Sequence, residues 1–221
     1  MRITLDRKQT IYFTSDTHYS HKNICSATTE WSAEKKVRKF KSLDHMNTTL
    51  VDNINATVGE DDILVHMGDW SFGGEEKVLE FRRRVHCKNI HLLEGNHDYD
   101  VTNLAFDKQH RIFETVKNYQ FLSLKVPNEA IDGRQSKASQ YRFVLCHYPF
   151  ASWNGMAKRV MHLHGHIHTP TSDRVGPGRM LDVGVDGHPE FRPYSLKEVL
   201  KLIEGREVKG LLQHTHDHHS Q

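Results

Sequence analysis

Nowhere in this chain do apolar residues run to the ~20 that a membrane span requires. The opening residues, Met1-Arg2-Ile3-Thr4-Leu5-Asp6, lack the apolar h-region of a secretory leader. With 37% hydrophobic residues and a mean hydropathy of −0.66, a soluble protein with no membrane partner is expected. Cysteine is scarce as well. Cys25, Cys87 and Cys146 are odd in number and without framework spacing, so they read as reduced thiols in a cytoplasm. Charge of one sign is also missing: 30 Lys and Arg against 28 Asp and Glu leave a formal +2. Such a balance exerts no general pull on nucleic acid. Two local basic runs, Lys35–Lys41 and Arg82–Arg84, lie in or beside helical patterns and read as solvated charged faces. No internal repeat is found.

A chain of 221 residues suffices for one sizeable core and is short for two domains. One domain over 1–210 is expected. Residues 211–221 form a His-rich tail, read as disordered and without a catalytic role. Short aliphatic and β-branched runs predict strands at Thr10–Thr14, Ile63–Met67, Asn89–Leu93, Gln120–Val126, Tyr141–Cys146, Val160–Leu163 and Met180–Val185. Leu43, Met46, Leu50, Val51, Ile54 and Val58 recur at steps of three and four, the period of an amphipathic helix. Val78, Leu79, Arg82 and Val85 suggest a second helix. Ser195 and Glu198 spell a capping box opening a third that Gly205 can close. The order β-α-β-α-β followed by strands favours an α/β fold with mixed sheets. Residues 19–41, 99–118 and 127–140 look like additions to that core, where specificity is usually set.

What the chain has in abundance is histidine, 18 in all. Five motifs gather many of them beside carboxylates and an amide: Asp16-Thr17-His18, Gly68-Asp69, Gly95-Asn96-His97-Asp98, His147, and Gly165-His166-Ile167-His168. These are the oxygen and nitrogen ligands that suit Mn²⁺, Fe, Zn²⁺ and related ions. A lone His-x-His is more often a strand with one imidazole face. Here each motif follows an apolar run, so all five converge where strands leave the sheet, the edge at which α/β sheets collect ligands. A two-residue step on extended chain is expected to point both members of Asp16-x-His18, and of His166-x-His168, to one side.

The motif order D-x-H, G-D, G-N-H-D, H, G-H-x-H resembles the calcineurin-like metallophosphoesterase superfamily across about residues 10–190. Outside the motifs, Ser20–Ile24 and His147-Tyr148-Pro149-Phe150 resemble small single-domain prokaryotic or viral members described as phosphoesterases. The resemblance implies a four-layer α-β-β-α sandwich, two mixed sheets flanked by helices. It also implies two divalent ions, manganese first with Fe, Ni, Co or Zn as alternatives. Asp16, His18, Asp69 and His168 would bind one, and Asp69, Asn96, His147 and His166 the other. Asp69 is the natural bridge, since two metals about 3.5–4 Å apart need a shared anion.

A water between two such ions loses a proton near pH ~7, so a metal-bridging hydroxide is the expected nucleophile. His97, set between Asn96 and Asp98, is the expected non-ligand catalyst, a proton donor to the leaving oxygen. Asp98 either orients that ring or caps the turn. His21, Asn23 and Trp153 are candidate substrate contacts, with core packing the alternative for tryptophan. Asp186 reads as a loop hydrogen-bonding residue and His164 as a partner behind the ligands. The function expected is hydrolysis of a small phosphate ester, a monoester or diester, with nucleotides among the options. A nuclease of the same superfamily is the near alternative, though near-neutral charge argues against extended nucleic acid. A catalytically silent metal-binding scaffold is the distant one.

Overall fold

Short aliphatic runs become strands throughout the computed structural model, which describes every residue except 33–36, 107–111, 128–137, 169–177, 204–205 and 207–221. Among the described residues the strands are β1 (Arg2–Thr4), β2 (Ile11–Thr14), β3 (Ile63–His66), β4 (Asn89–Leu93), β5 (Thr115–Lys117), β6 (Tyr119–Val126), β7 (Ser139–Cys146), β8 (Met161–His164), β9 (Met180–Asp182) and β10 (Tyr194–Ser195). The helices are α1 (Leu43–Thr57), α2 (Glu75–Arg84), α3 (Tyr99–Phe106) and α4 (Leu196–Ile203). None is long and apolar enough to cross a membrane.

The strands form two five-stranded sheets, ordered β1-β6-β7-β8-β9 and β10-β2-β3-β4-β5. Both are mixed: β6 and β7 pair antiparallel, as do β10 and β2, and the remaining pairs are parallel. Period-two alternation explains how they stack. Ile11, Phe13, Ile63 and Val65 from one sheet meet Leu122, Phe143, Leu145, Met161, Leu163 and Leu181 from the other in a shared core. The opposite faces of β3 and β4 send Leu64, Ile90 and Leu92 against the apolar sides of α1, α2 and α3. On the outer face of β7–β9, Val144 and Met180 are covered by the loop carrying Trp153 and Val160. Helix α4 adds Leu196, Val199 and Ile203 to the inter-sheet core. This is the expected architecture of two mixed sheets flanked by helices.

Local signals account for the helices. Ser42 Oγ accepts from His45 N at 3.0 Å to start α1, whose Met46, Leu50, Val51 and Ile54 are buried as their spacing requires. The capping box of α4 closes both ways: Glu198 N donates to Ser195 Oγ (3.3 Å) and Ser195 N to the Glu198 carboxylate (2.8 Å). In α2, Glu75 and Glu76 lie in the first turn and Arg82, Arg83 and Arg84 in the last, matching the helix dipole at both ends.

Three strands, β1, β5 and β10, are absent from the sequence reading, because two or three residues cannot display a period. The stretch 99–118, expected as an addition, supplies α3 and β5, the latter an edge strand of its sheet. The last predicted strand stops at Asp182, and Val185–Gly187 forms a 3-10 turn. The 210 boundary, the His-rich tail, Gly205 and most of the 127–140 loop lie outside the described residues.

Candidate metal centre

The parallel run β2-β3-β4 releases three motifs at one edge: Asp16 and His18 after β2, Asp69 after β3, and Asn96, His97 and Asp98 after β4. Strands β7 and β8 release His147, His166 and His168, and a parallel bridge between Ser15 and Gly184 links the two sheets beside them.

The motif residues are not extended chain. Asp16, His18, Asp69, His166 and His168 take φ of 55°, 46°, 57°, 73° and 48°. Two left-handed residues around one spacer therefore bring each pair together, and the alternation expected of a strand does not. Each such residue costs about 1–2 kcal/mol without glycine's freedom, and strain of this kind clusters where a site needs it. Backbone bonds hold it in place: Asp16 N donates to Gly68 O (2.9 Å), His18 N to Asp69 O (3.0 Å) and Gly165 N to His147 O (2.9 Å). The glycines matter through contact. A Cβ on Gly95 would lie 2.2 Å from Asp69 Oδ1, and one on Gly165 would lie 2.0 Å from Ser15 Oγ and 2.4 Å from Asp16 Oδ2.

The ligand atoms of Asp16, His18, Asp69 and His168 all fall within 4.8 Å of one another. His18 Nε2 is 3.3 Å from Asp69 Oδ2 and 3.1 Å from His168 Nε2, which is 3.7 Å from Asp16 Oδ1. A second group adjoins it. Asn96 Oδ1 is 3.1 Å from His147 Nε2 and 3.0 Å from His166 Nδ1, and His147 Nε2 is 3.5 Å from Asp69 Oδ2. One oxygen, Asp69 Oδ2, thus faces both groups.

Tautomers follow from the partners. Met67 O can only accept, so His147 Nδ1 carries the proton (2.7 Å) and Nε2 presents a lone pair to Asn96 and Asp69. His168 Nδ1 donates to Asp186 Oδ2 (2.7 Å), turning its Nε2 lone pair inward. Lone pairs and carboxylate oxygens converging within hydrogen-bond distance repel unless a cation lies among them. Asp16 registers that deficit: burial foremost, with Asp182 and Asp69 adding, lifts its carboxyl to about 8 despite His168. The donor set, its convergence and this uncompensated charge all fit divalent cations.

Arg38 is the residue that sequence reasoning misjudged. Placed there on a solvated basic face, it is 4% exposed and lies behind the ligands. Its Nε and Nη2 each reach an Asp186 oxygen at 2.8 Å, Nη1 donates to Thr17 O (2.7 Å), and Nη2 also bonds Asp16 O. Burial alone would raise the Asp186 carboxyl, but Arg38 and then His168 overcome it and hold it well below its ordinary value. Burial likewise disfavours a charged His168, yet Asp186 and then Asp16 carry it above the usual imidazole value. The second nitrogen of His168, a candidate ligand, is thus fixed by a carboxylate, itself braced by a guanidinium that grips the Asp16-Thr17-His18 backbone. The basic run around Arg38 hid this role, and nothing local marks it.

Of the two roles expected of Asp98, the geometry fits the turn cap. Its Oδ2 accepts from Asp69 N (2.7 Å) and Gly95 N (2.8 Å), and its Oδ1 from Trp70 N (2.9 Å). The carboxylate ties the Gly68-Asp69 turn to the Gly95–Asp98 loop, in place of the alternative role of orienting His97. His97 is exposed; its N donates to Asp69 Oδ1 (3.0 Å), and its ring meets those of His18 (5.5 Å) and Phe72 (5.5 Å). His21 and Asn23 line the cavity that His18, Asp69 and His168 also line. Burial, followed by the neighbouring His97, lowers His21 to about 4, so its ring is neutral. Trp153 does not reach that cavity: its Nε1 donates to Val160 O (2.9 Å) and it packs on His162 under the other sheet face. Trp70, tilted against Phe81 and edge-on to Phe113, is core. His164 is buried, with Nδ1 3.0 Å from Gly165 O.

The model for the calcineurin-like phosphoesterase family matches residues 9–188. The chain is 28% identical over 204 residues to the uncharacterized protein MJ1445 of Methanocaldococcus jannaschii, covering 90% of this chain and 93% of that one. It is similar in fold to the crystal structure of AQ665 from Aquifex aeolicus, a protein of unknown function. That likeness has a TM-score of 0.58 at 22% identity and spans 88% of this chain and all of the other.

Proposed function

Since this chain belongs to the calcineurin-like phosphoesterase family, whose members bind divalent metals, we propose that it is a dinuclear metal-dependent hydrolase of a small phosphate ester. The observation that carries this reading is Asp69 Oδ2, 3.3 Å from His18 Nε2 on one side and 3.5 Å from His147 Nε2 on the other. Asp16, His18 and His168 would complete one ion's shell, and Asn96, His147 and His166 the other's. Manganese is the first ion to test, with Fe, Ni, Co and Zn as alternatives. Bound there, the ions would supply a water deprotonated near pH ~7 and neutralise charge on the phosphoryl oxygens.

The chain's own residues supply the rest. Asn96 contributes a neutral amide oxygen, so the carboxylates do not cancel the cations and a phosphate is still attracted. His97, exposed at the rim with its backbone fixed to Asp69, donates a proton to the departing oxygen. Asp98 holds the two loops in register so that Asp69 and Asn96 face one centre. The buried thiols of Cys25, Cys87 and Cys146 suit a reducing compartment such as the cytoplasm.

Extended nucleic acid fits less well, because three of the four arginines in the basic runs are occupied internally. Arg38 is buried in the site, Arg82 donates to Ile112 O and Val85 O, and Arg84 donates to Tyr19 Oη and Thr48 Oγ1. The test is a panel of chromogenic monoesters and diesters with metal-stripped protein and each ion added back. Hydrolysis that returns with metal and changes little between low and moderate salt supports the proposal. Steep loss with salt would favour the nuclease, and two bound ions with no turnover would favour the silent scaffold.

A further inference from the structure

The ligand cluster opens into a cavity of ≈ 950 Å³, far more than a phosphate fills. Much of its lining is apolar, with Ile24, Trp31, Phe40, Phe72, Ile167 and Phe191 among the residues. Two of these are large apolar side chains in contact with solvent, Phe72 at 41% exposure and Ile167 at 51%. Ile167 sits between His166 and His168, so its exposed side chain puts apolar surface next to the cluster.

A chain of rings links the metal cluster to this apolar lining. His18 lies 5.2 Å from His21, and His21 stacks on Phe72 at 4.2 Å with the planes 11° apart. Trp31 meets His21 edge-on at 5.7 Å, and His97 meets Phe72 edge-on at 5.5 Å. With one face against His21, Phe72 has its exposed surface left for a ligand. A phosphate held at the cluster therefore leaves Phe72 within reach of its organic group, and Ile167 lines the same cavity.

We propose that the substrate's organic group is a flat aromatic ring, seated against Phe72 and Ile167 while its phosphate is held by the Asp69-centred cluster. This rests on the phosphoesterase reading and names the class of ester. A ring matches these side chains because offset stacking and edge contacts reward a flat partner beyond its area. An aryl ester and a nucleobase share this chemistry.

The test is calorimetric binding of hydrolysis-resistant phosphonates to metal-loaded protein: methylphosphonate, phenylphosphonate, and the methylenephosphonate analogue of a nucleoside monophosphate. At least one aromatic ligand should bind roughly tenfold tighter than methylphosphonate, the scale of a single stacked ring. Phe72→Ala should abolish that preference while leaving methylphosphonate affinity and metal content unchanged, and Phe72→Tyr should retain it. Preference for phenylphosphonate would assign these side chains to an aryl ester, and preference for the nucleoside analogue alone to a nucleobase. Equal affinities for all three, or a preference that survives Phe72→Ala, overturns the proposal and leaves the phosphoesterase reading intact. Failure of every phosphonate to bind the metal-loaded protein would overturn both.

Discussion

Removing one charge from Asp69 should be felt by both ligand groups, because Oδ2 faces His18 and His147 alike. Asp69→Asn is expected to lose at least one ion per chain by elemental analysis, and turnover with it. Asp186 acts one step back, through His168 Nδ1. Asp186→Asn should weaken metal affinity about 10–100-fold, the usual cost of losing a partner behind a ligand, and retention of wild-type affinity would remove Asp186 from that role. His97 is separable from both. His97→Asn should keep its metal and slow turnover by ~10²–10⁴ for poor leaving groups, with a smaller loss for nitrophenolate. An equal loss across leaving groups would point to charge stabilisation instead of proton donation. At this scale the residues that cluster were legible from the sequence, and their geometry was not. Positive φ at Asp16 and His18, and at His166 and His168, replaced the strand alternation that had been expected to align each pair. Arg38 was hidden inside a basic run, since burial is a property of the fold and not of a neighbouring lysine.

Elements transmit these constraints. The guanidinium of Arg38 and the carboxylate of Asp186 are a buried pair, and cutting one partner strands the other. Arg38→Met should therefore destabilise the metal-free protein by about 3–5 kcal/mol in urea unfolding; a loss within experimental error would contradict the buried pairing. Helix α4 offers a pH readout. Arg192 foremost, then the Ser195 amide and hydroxyl, overcome burial to lower Glu198 to about 2. A depressed carboxyl contributes stability above its unfolded value and loses it as pH falls through the folded one. Wild type should thus exceed Glu198→Gln in stability at neutral pH, and the gap should close between pH ~4.5 and about 2. A gap independent of pH would assign the effect to something other than this charge. Long elements such as α1 and β4 could be read from period alone, whereas β1, β5 and β10 exist only because a neighbouring strand pairs with them.

Across the whole molecule, two sheets release five motifs at a common edge, and the inter-sheet core fixes their spacing. The order of strands and helices predicted that edge. It did not predict that Trp153 faces the opposite side of the β6–β9 sheet from the core, nor that the loops around Trp31 and Phe72 bring apolar side chains to the cavity, because both depend on contacts between segments far apart in sequence. The central claim is that this edge assembles two metal ions around Asp69. Anomalous diffraction from a crystal loaded with manganese tests it most directly. The account predicts two peaks per chain about 3.5–4 Å apart, with Asp69 between them, Asp16, His18 and His168 around one, and Asn96, His147 and His166 around the other. A single peak at full loading, or two peaks that do not share Asp69, would contradict it.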